Sequence, residues 1–452
     1  MNANYFNYFG IGIISTLIAT VFLVGIVHRD LAPGVGLNGR GKLLLMAGLG
    51  GMGVLAFAAK LLVITLMLSM SGKIMSQMAK RNVPEHSAPI DFLINTANQP
   101  ASYQSPYRWE ALPNEAPVPT YNPMSPKKVA LGKKLFFDKS LSRNGQVACA
   151  SCHNVYLGAG VDGLKTSKGI DGQIGKRNAP TVWNAAFQVA QFWDGRASSL
   201  EDQSKGPLVN PAEMGMASLR AVEDRVTSMP EYRQAFQDTF GYKQAINIDN
   251  IAAAIASYER TLITPDSAYD RFVRGDSTAL TPAQLKGMAL FESAGCVRCH
   301  SGPNFSGASV FDGGSPYRIF PCFNTHYTKQ YKFKDDVGKS VLGSSDGVWR
   351  IPSLRNVALT GPYFHNGSVS SLEESVRVMA RTQLGRTIQE RSNTERLVHW
   401  SESQHILTTI EKSVITDEEI QNIAAFLRAL SSEKLLEQKE NDPSSIAGEV
   451  QS

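Results

Sequence analysis

Cysteine is scarce: the chain has five in 452 residues, an odd number. That excludes a disulfide-stapled scaffold and leaves at least one thiol outside any pairing. Histidine is sparse too, with eight in the chain and none between His153 and His300. Residues 1–27 contain no charged side chain. A basic excess is missing from most of the molecule. Residues 1–81 carry +6 of a total of +5, and the remainder sums to −1. A nucleic-acid partner therefore loses its electrostatic footprint. What is present is 43% hydrophobic residues with 38 Gly and 22 Pro, a composition that builds cores and excludes a disordered or collagen-like chain. The length predicts about three units.

The first unit is a membrane arm over residues 1–81. Phe9 to Val27 is a near-continuous apolar run of 19 residues, long enough to span the hydrocarbon core as a helix. A signal peptide is the competing reading, but there is no basic leader and no small-x-small site before His28-Arg29-Asp30. A second apolar stretch, 43–70, is interrupted only by Lys60, which would snorkel or end the span early. The arm thus holds one or two helices, with spans near 9–27 and 43–70. Arg29, Arg40 and Lys42 favour a cytoplasmic loop, while Lys73, Lys80 and Arg81 pull the other way, so charge leaves the topology open. Residues 82–126 follow as a proline-rich linker, predicted to be an extended tether.

Four cysteines fall into two identical patterns, Cys149-Ala-Ser-Cys152-His153 and Cys296-Val-Arg-Cys299-His300. This spacing attaches a c-type haem through two thioethers, with the adjacent histidine as proximal iron ligand. A lone C-x-x-C also suits a redox dithiol or half a zinc site. Two copies, each followed at once by histidine, select haem c. Because haem is attached outside the cytoplasm, the haem-bearing part is expected in the periplasm, tethered to the bacterial inner membrane. Cys322 is left over as a buried thiol. The motifs lie in an internal repeat: helix-like runs ending at Phe137 and Phe291 precede them, and amphipathic helices beginning near Ile251 and Ile420 follow, with Asp249 and Asp417 as candidate caps. The expected fold is all-α, with two tandem cytochrome c-like domains at 127–265 and 266–432 and a polar tail at 433–452.

The sixth iron ligand decides what each haem does. With no histidine between His153 and His300, that interval offers Met214, Met216, Met229 or Met288, each more simply read as a core filler, or the lysines of 163–169. An open first haem is the simplest reading.

Here the chain resembles the bacterial di-haem cytochrome c peroxidases over about residues 126–432. The resemblance rests on Leu135-Phe-Phe-Asp-Lys-Ser-Leu-Ser, Arg177-Asn-Ala-Pro-Thr, Gln191-Phe-Trp-Asp-Gly-Arg, Ile351-Pro-Ser-Leu-Arg-Asn-Val-Ala-Leu-Thr-Gly-Pro-Tyr-Phe-His365 and Val378-Met-Ala-Arg-Thr-Gln-Leu-Gly. It implies a peroxidatic first haem and a high-potential second haem that takes in electrons. It matches Glu213 to a distal acid–base residue, Gln203 to its hydrogen-bonding neighbour and Trp193 to an indole between the haems. Met379 matches the sixth ligand of the second iron, and His365 a histidine near that haem. Asn178, Thr360 and Pro362 match oxygens around an interdomain Ca²⁺, a hard cation suited to such donors. One departure stands out: residues 154–175 hold Lys165, Lys168 and Asp171, but not the histidine that in many members blocks the first iron.

The implied activity is reduction of hydrogen peroxide to water, with electrons from a small cytochrome c, a cupredoxin or a quinol-linked partner. Homodimers are common among such relatives. Two alternatives differ in class. A maturation oxidase acting on a protein resembles the relative that modifies methylamine dehydrogenase, but that relative has tyrosine where this chain has Met379. A plain di-haem electron carrier would need neither the long first domain nor Glu213.

Overall fold

Proline fits a helix best in its first turn, where its missing N–H costs nothing. Pro126 and Pro282 each sit there, behind Ser125 and Thr281, whose hydroxyls accept from Lys128 N and Gln284 N. The two helices they open, α1 (Pro126–Phe137) and α8 (Pro282–Ser293), are the matching first helices of two repeats. The computed structural model describes residues 107–156, 159–339, 347–389, 398–401, 406–409 and 414–440. The predicted spans near 9–27 and 43–70 lie outside these residues. Among the described residues no helix is long and apolar enough to cross a membrane.

In chain order the other helices are α2 (Cys149–Cys152), α3 (Leu200–Val209), α4 (Leu219–Ser228), α5 (Pro230–Phe240), α6 (Ile248–Glu259) and α7 (Ala268–Val273). After α8 come α9 (His326–Gln330), α10 (Leu372–Thr382), α11 (Asp417–Arg428) and α12 (Glu433–Glu440). Helix dominates, as predicted, but the chain is not purely α. Short two-stranded sheets pair β1 (Tyr317–Ile319) with β2 (Val348–Arg350), β3 (Thr387–Gln389) with β6 (Val414–Thr416), and β4 (Val398–Ser401) with β5 (Ile406–Thr409).

Each repeat is held by one helix crossing. Helix α1 packs on α6, and α8 on α11. A Cβ added at Gly132 would stand 1.8 Å from Ala254 O, and one at Gly287 would stand 1.8 Å from Asn422 O. Both crossings are backbone-on-backbone and admit only glycine. The capping residues differ from those expected. Asn247 and Thr416 cap α6 and α11, while Asp249 and Asp417 fall within the first turn, where they still oppose the helix dipole. The first core gathers Leu131, Leu135, Phe136, Ile251 and Ile255, and the second Met288, Phe291, Phe305, Ile420 and Phe426. Each such apolar side chain contributes roughly 1.5–3 kcal/mol on burial.

The described part of the proline-rich linker is not a solvated tether. Trp109 is 6% exposed within the second core, Tyr107 Oη accepts from Gly302 N at 2.8 Å, and Ala116 packs on the first domain. Aromatic burial outweighs the prolines' tendency to stay extended. The tail also departs from a polar extension, because Leu435 on α12 enters the first core.

The repeats interlock through matching loops. Asn178 N donates to His365 O at 2.8 Å, and its counterpart Arg350 N donates to Trp193 O at 2.9 Å. Trp193 and His365 each follow a phenylalanine in the left-handed region, Phe192 (φ 66°) and Phe364 (φ 68°). The Thr264 hydroxyl receives Asn184 Nδ2 at 2.7 Å from one half and Asn356 Nδ2 at 3.0 Å from the other. Arg177 joins Asp194 of its own half to Asp336 of the second.

Candidate active site and haem centres

One turn of helix brings each cysteine pair to one side and hangs the histidine below it. His153 N donates to Cys149 O at 3.0 Å, and His300 N to Cys296 O at 2.9 Å. Each imidazole is then fixed by a backbone carbonyl: His153 Nδ1 lies 3.1 Å from Gly160 O, and His300 Nδ1 lies 3.2 Å from Phe305 O. A proton on Nδ1 leaves Nε2 with its lone pair free for iron. Burial pushes both imidazoles below the usual histidine range, His300 to about 4, so the neutral, ligating form prevails. Burial also pushes the Cys149 and Cys296 thiols up to about 12 and Cys152 to about 11. Such thiols lack the thiolate character of a redox pair. Among the described residues no three His, Cys, Asp or Glu side chains converge on a metal position. The donor set fits covalent haem c at both motifs.

A cavity of about 1340 Å³ opens beside the first motif, beyond the roughly 300–1,000 Å³ of ordinary small-molecule sites. Cys152, His153, Asn178, Trp193, Gln203 and Glu213 all line it. The structure thus gathers most of the residues predicted for the first haem, Cys149 not being among the lining residues, together with Asn178 of the calcium set. Thr360, Pro362, Met379 and the second motif do not line this cavity.

Glu213 stands just beyond α3, in a turn tied by Asn210. Asn210 Oδ1 accepts from Ala212 N at 3.0 Å, and its Nδ2 donates to Glu213 Oε1 at 2.7 Å. Desolvation raises the Glu213 carboxyl above the ordinary range, against the opposing pull of Arg196 and of the Asn210 bond. A carboxyl raised in this way holds its proton more readily than an exposed glutamate, as a group that must both take and give a proton requires. Trp193 is anchored by Nε1 donating to Asn178 O at 2.8 Å. Its ring lies 6.5 Å from that of His365, edge to face.

His365, expected near the second haem, also reaches the first cavity. It borders the first cavity, stacked on Trp349 at 4.0 Å, with Nε2 buried and without a hydrogen-bond partner. Burial lowers its pKa to about 4. None of Met214, Met216, Met229 or Met288 lines the cavity; the first three pack in the first core and Met288 in the second.

At the second centre, Met379 is half-buried on α10, next to Val376 and Ala380, which belong to the core that Cys296 borders. Helix α10 is capped by Ser371, which accepts from Glu374 N at 3.2 Å. Asn178 and Pro362 meet across the halves, Asn178 Nδ2 donating to Pro362 O, whereas the Thr360 hydroxyl turns back to Val357 O at 3.2 Å. Cys322 is half-buried rather than buried, and Gln383 Nε2 approaches its sulfur at 3.2 Å.

Two cavity residues escaped the sequence reading. Asn210 orients Glu213, and its Asn-Pro-Ala-Glu turn was the available signal. Glu259 is 4% exposed and lines the same cavity. It falls at i+8 from Ile251 and i+4 from Ile255, so a charge interrupting the apolar stripe of α6 would have identified it.

The profile of the family described as di-haem cytochrome c peroxidase matches residues 126–278. The chain is 42% identical over 274 residues to a cytochrome c551 peroxidase of Nitrosomonas europaea, covering 60% of this chain and 78% of that one. It is 42% identical over 271 residues to a cytochrome c551 peroxidase of Pseudomonas aeruginosa, covering 59% and 75%. Among solved structures, a MauG-like protein associated with microbial copper homeostasis superposes with a TM-score of 0.58 at 30% identity, covering 75% of this chain and 98% of that one. Two matched C-x-x-C-H turns, a buried carboxyl in the cavity beside the first and this likeness agree: the chain belongs to the di-haem cytochrome c peroxidase family.

Proposed function

We propose that the protein reduces hydrogen peroxide to water at the first haem, with electrons taken in through the second. Haem c bound at each motif would supply redox-active iron, held at the first by His153 and at the second by His300 and Met379, a ligand pair suited to a high potential. The observation that carries this reading is the single cavity in which Glu213, Gln203 and Trp193 surround the turn bearing His153.

The chain's own contribution is largely proton handling. Cleaving O–O requires a proton to leave one oxygen and reach the other, and Glu213 has the burial and fixed geometry for that transfer. Gln203, on α3, would hold the second oxygen by a hydrogen bond. Trp193 offers a polarizable ring between the halves. The reaction consumes H₂O₂, two electrons and two protons and yields two waters.

The first haem is expected to be open in the fully oxidised protein, because residues 154–175 contain no histidine. Oxygens of Asn178, Thr360 and Pro362 would hold a Ca²⁺ at the domain junction. The adjacency of the Asn178 amide and the Pro362 carbonyl supports this, since turning the amide presents two hard donors together. The apolar arm would hold the haem domains at the periplasmic face of the inner membrane, within reach of a cytochrome c, cupredoxin or quinol-linked donor.

Steady-state peroxide reduction with each donor tests this function. Glu213→Gln should lower kcat by ~10²–10⁴ with haem content unchanged. Full activity in that variant would remove the assigned role, and an inactive wild type would favour a plain electron carrier.

A further inference from the structure

Of the carboxyls lining the first cavity that the reaction above leaves unused, Asp194, Glu259, Asp335 and Asp336, only Glu259 is buried. It closes α6, is 4% exposed, and its Oε2 is buried without a hydrogen-bond partner. Burial of that oxygen away from any donor favours the neutral acid over the carboxylate. Its surroundings have three sides. From its own helix comes Arg260, whose guanidinium is engaged by Glu201 of α3 at 2.7 and 3.1 Å. From α2 comes Cys149, which haem attachment converts to a thioether. The third side is the cavity shared with Glu213. Beyond Glu201 the chain reaches solvent at Tyr121, whose Oη lies 3.5 Å from Glu201 Oε2. Glu259 therefore stands between the cavity and an ion pair that touches the surface.

We propose that Glu259 is the proton-loading acid of this cavity, supplying to Glu213 the protons that peroxide reduction consumes. This rests on the peroxidase reading. Glu213 alone can move a proton between the two peroxide oxygens, but that transfer is internal and brings none in. Each turnover needs two protons from outside to balance the two electrons. Glu259 gives its carboxyl proton toward Glu213, becomes the carboxylate, and regains a proton from solvent. The step forms and breaks only O–H bonds. Burial raises the Glu259 carboxyl to about 8, with Arg260 opposing and Glu201 assisting, so it holds its proton through neutral pH and loses it above.

Glu259→Gln keeps shape and neutrality but cannot carry a proton, which separates relay from packing. In the holoprotein, Glu259→Gln should cut kcat by roughly tenfold or more with KM for peroxide unchanged. It should also raise the solvent isotope effect and abolish the fall of kcat above about pH 8, while Glu259→Asp restores part of the rate. A readout independent of turnover is the infrared C=O stretch of a protonated carboxyl, sensitive to D₂O. That band should persist in Glu213→Gln at pH 7 and vanish in Glu259→Gln. Wild-type kcat and pH profile in Glu259→Gln overturn the proposal, as does absence of the band from wild-type protein, which is decisive even if the variant fails to mature. Loss of activity in Glu213→Gln with none in Glu259→Gln rejects the relay alone. Full activity in Glu213→Gln rejects the peroxidase reading beneath it.

Discussion

Removing the charge of Asp270 should loosen the second haem domain by about 3–5 kcal/mol, the cost of leaving one buried ion unpaired. The side chains of Asp270 and Arg355 are both 0% exposed, with Nη1 2.5 Å from Oδ2. Oδ2 also accepts from Ser267 Oγ at 2.6 Å and Ser267 N at 3.1 Å, and Oδ1 from Leu112 N at 2.9 Å. Every donor around the carboxylate is thus a reason for it to be charged. Burial alone would raise its pKa, but Arg355, Ser267 and Leu112 outweigh that and hold it below the ordinary range. Asp270→Asn turns an NH₂ toward one of those donors and leaves the Arg355 guanidinium without a counterion. Arg355 also donates through Nε to Pro303 O at 2.8 Å, in the loop between His300 and its anchoring carbonyl at Phe305. The damage should therefore reach the haem, seen as a change in the optical spectrum of the second haem, for which Met379 is the proposed ligand. Urea unfolding of the holoprotein at pH 7, followed at the second haem, measures the loss. Because the folded pKa is depressed, the pair's contribution is present above the unfolded carboxylate pKa and disappears as pH falls through the folded value. The gap between wild type and Asp270→Asn should accordingly narrow in acid. A loss below about 1 kcal/mol at pH 7, or a gap that is independent of pH, refutes the reasoning.

Three further outcomes follow from the same geometry. Gly132→Ala should force α1 off α6, because its Cβ would stand 1.8 Å from Ala254 O; a fall of holoprotein melting temperature and of haem c yield checks this. Arg177→Met should weaken the junction between the halves, since Arg177 holds Asp194 and Asp336 below the carboxylate range despite their partial burial. That contribution exists above the unfolded carboxylate pKa and is lost in acid, so limited proteolysis should separate variant from wild type at pH 7 but not near pH 3. Calcium chelation should slow electron transfer between the haems without removing haem, measured by reduction of the first haem after rapid reduction of the second.

Much of this was legible in the sequence because covalent chemistry demands contiguous residues. A C-x-x-C-H turn cannot be spread over a fold, so both haem sites, the repeat and its flanking helices could be read directly. Helix ends were less exact: Asp249 and Asp417 drew attention as caps, whereas the neighbouring Asn247 and Thr416 reach the free N–H groups. Features that depend on tertiary contact were hidden. Prolines between 107 and 125 suggest a free tether, yet Trp109 finds a core formed by residues more than a hundred positions later. His365 could not be assigned to the first cavity from sequence, because its position depends on the exchange of backbone bonds between Asn178 and Arg350 and their partners. Glu259 was within reach, since one charge on an otherwise apolar helical stripe is a local signal.

The account turns on an iron whose distal face is open above His153 and flanked by Glu213. Electron paramagnetic resonance of the fully oxidised holoprotein, before and after one equivalent of peroxide, tests this directly. The predicted result is a high-spin ferric signal from one of the two haems that disappears on adding peroxide. Two low-spin signals, or a high-spin signal indifferent to peroxide, would contradict it.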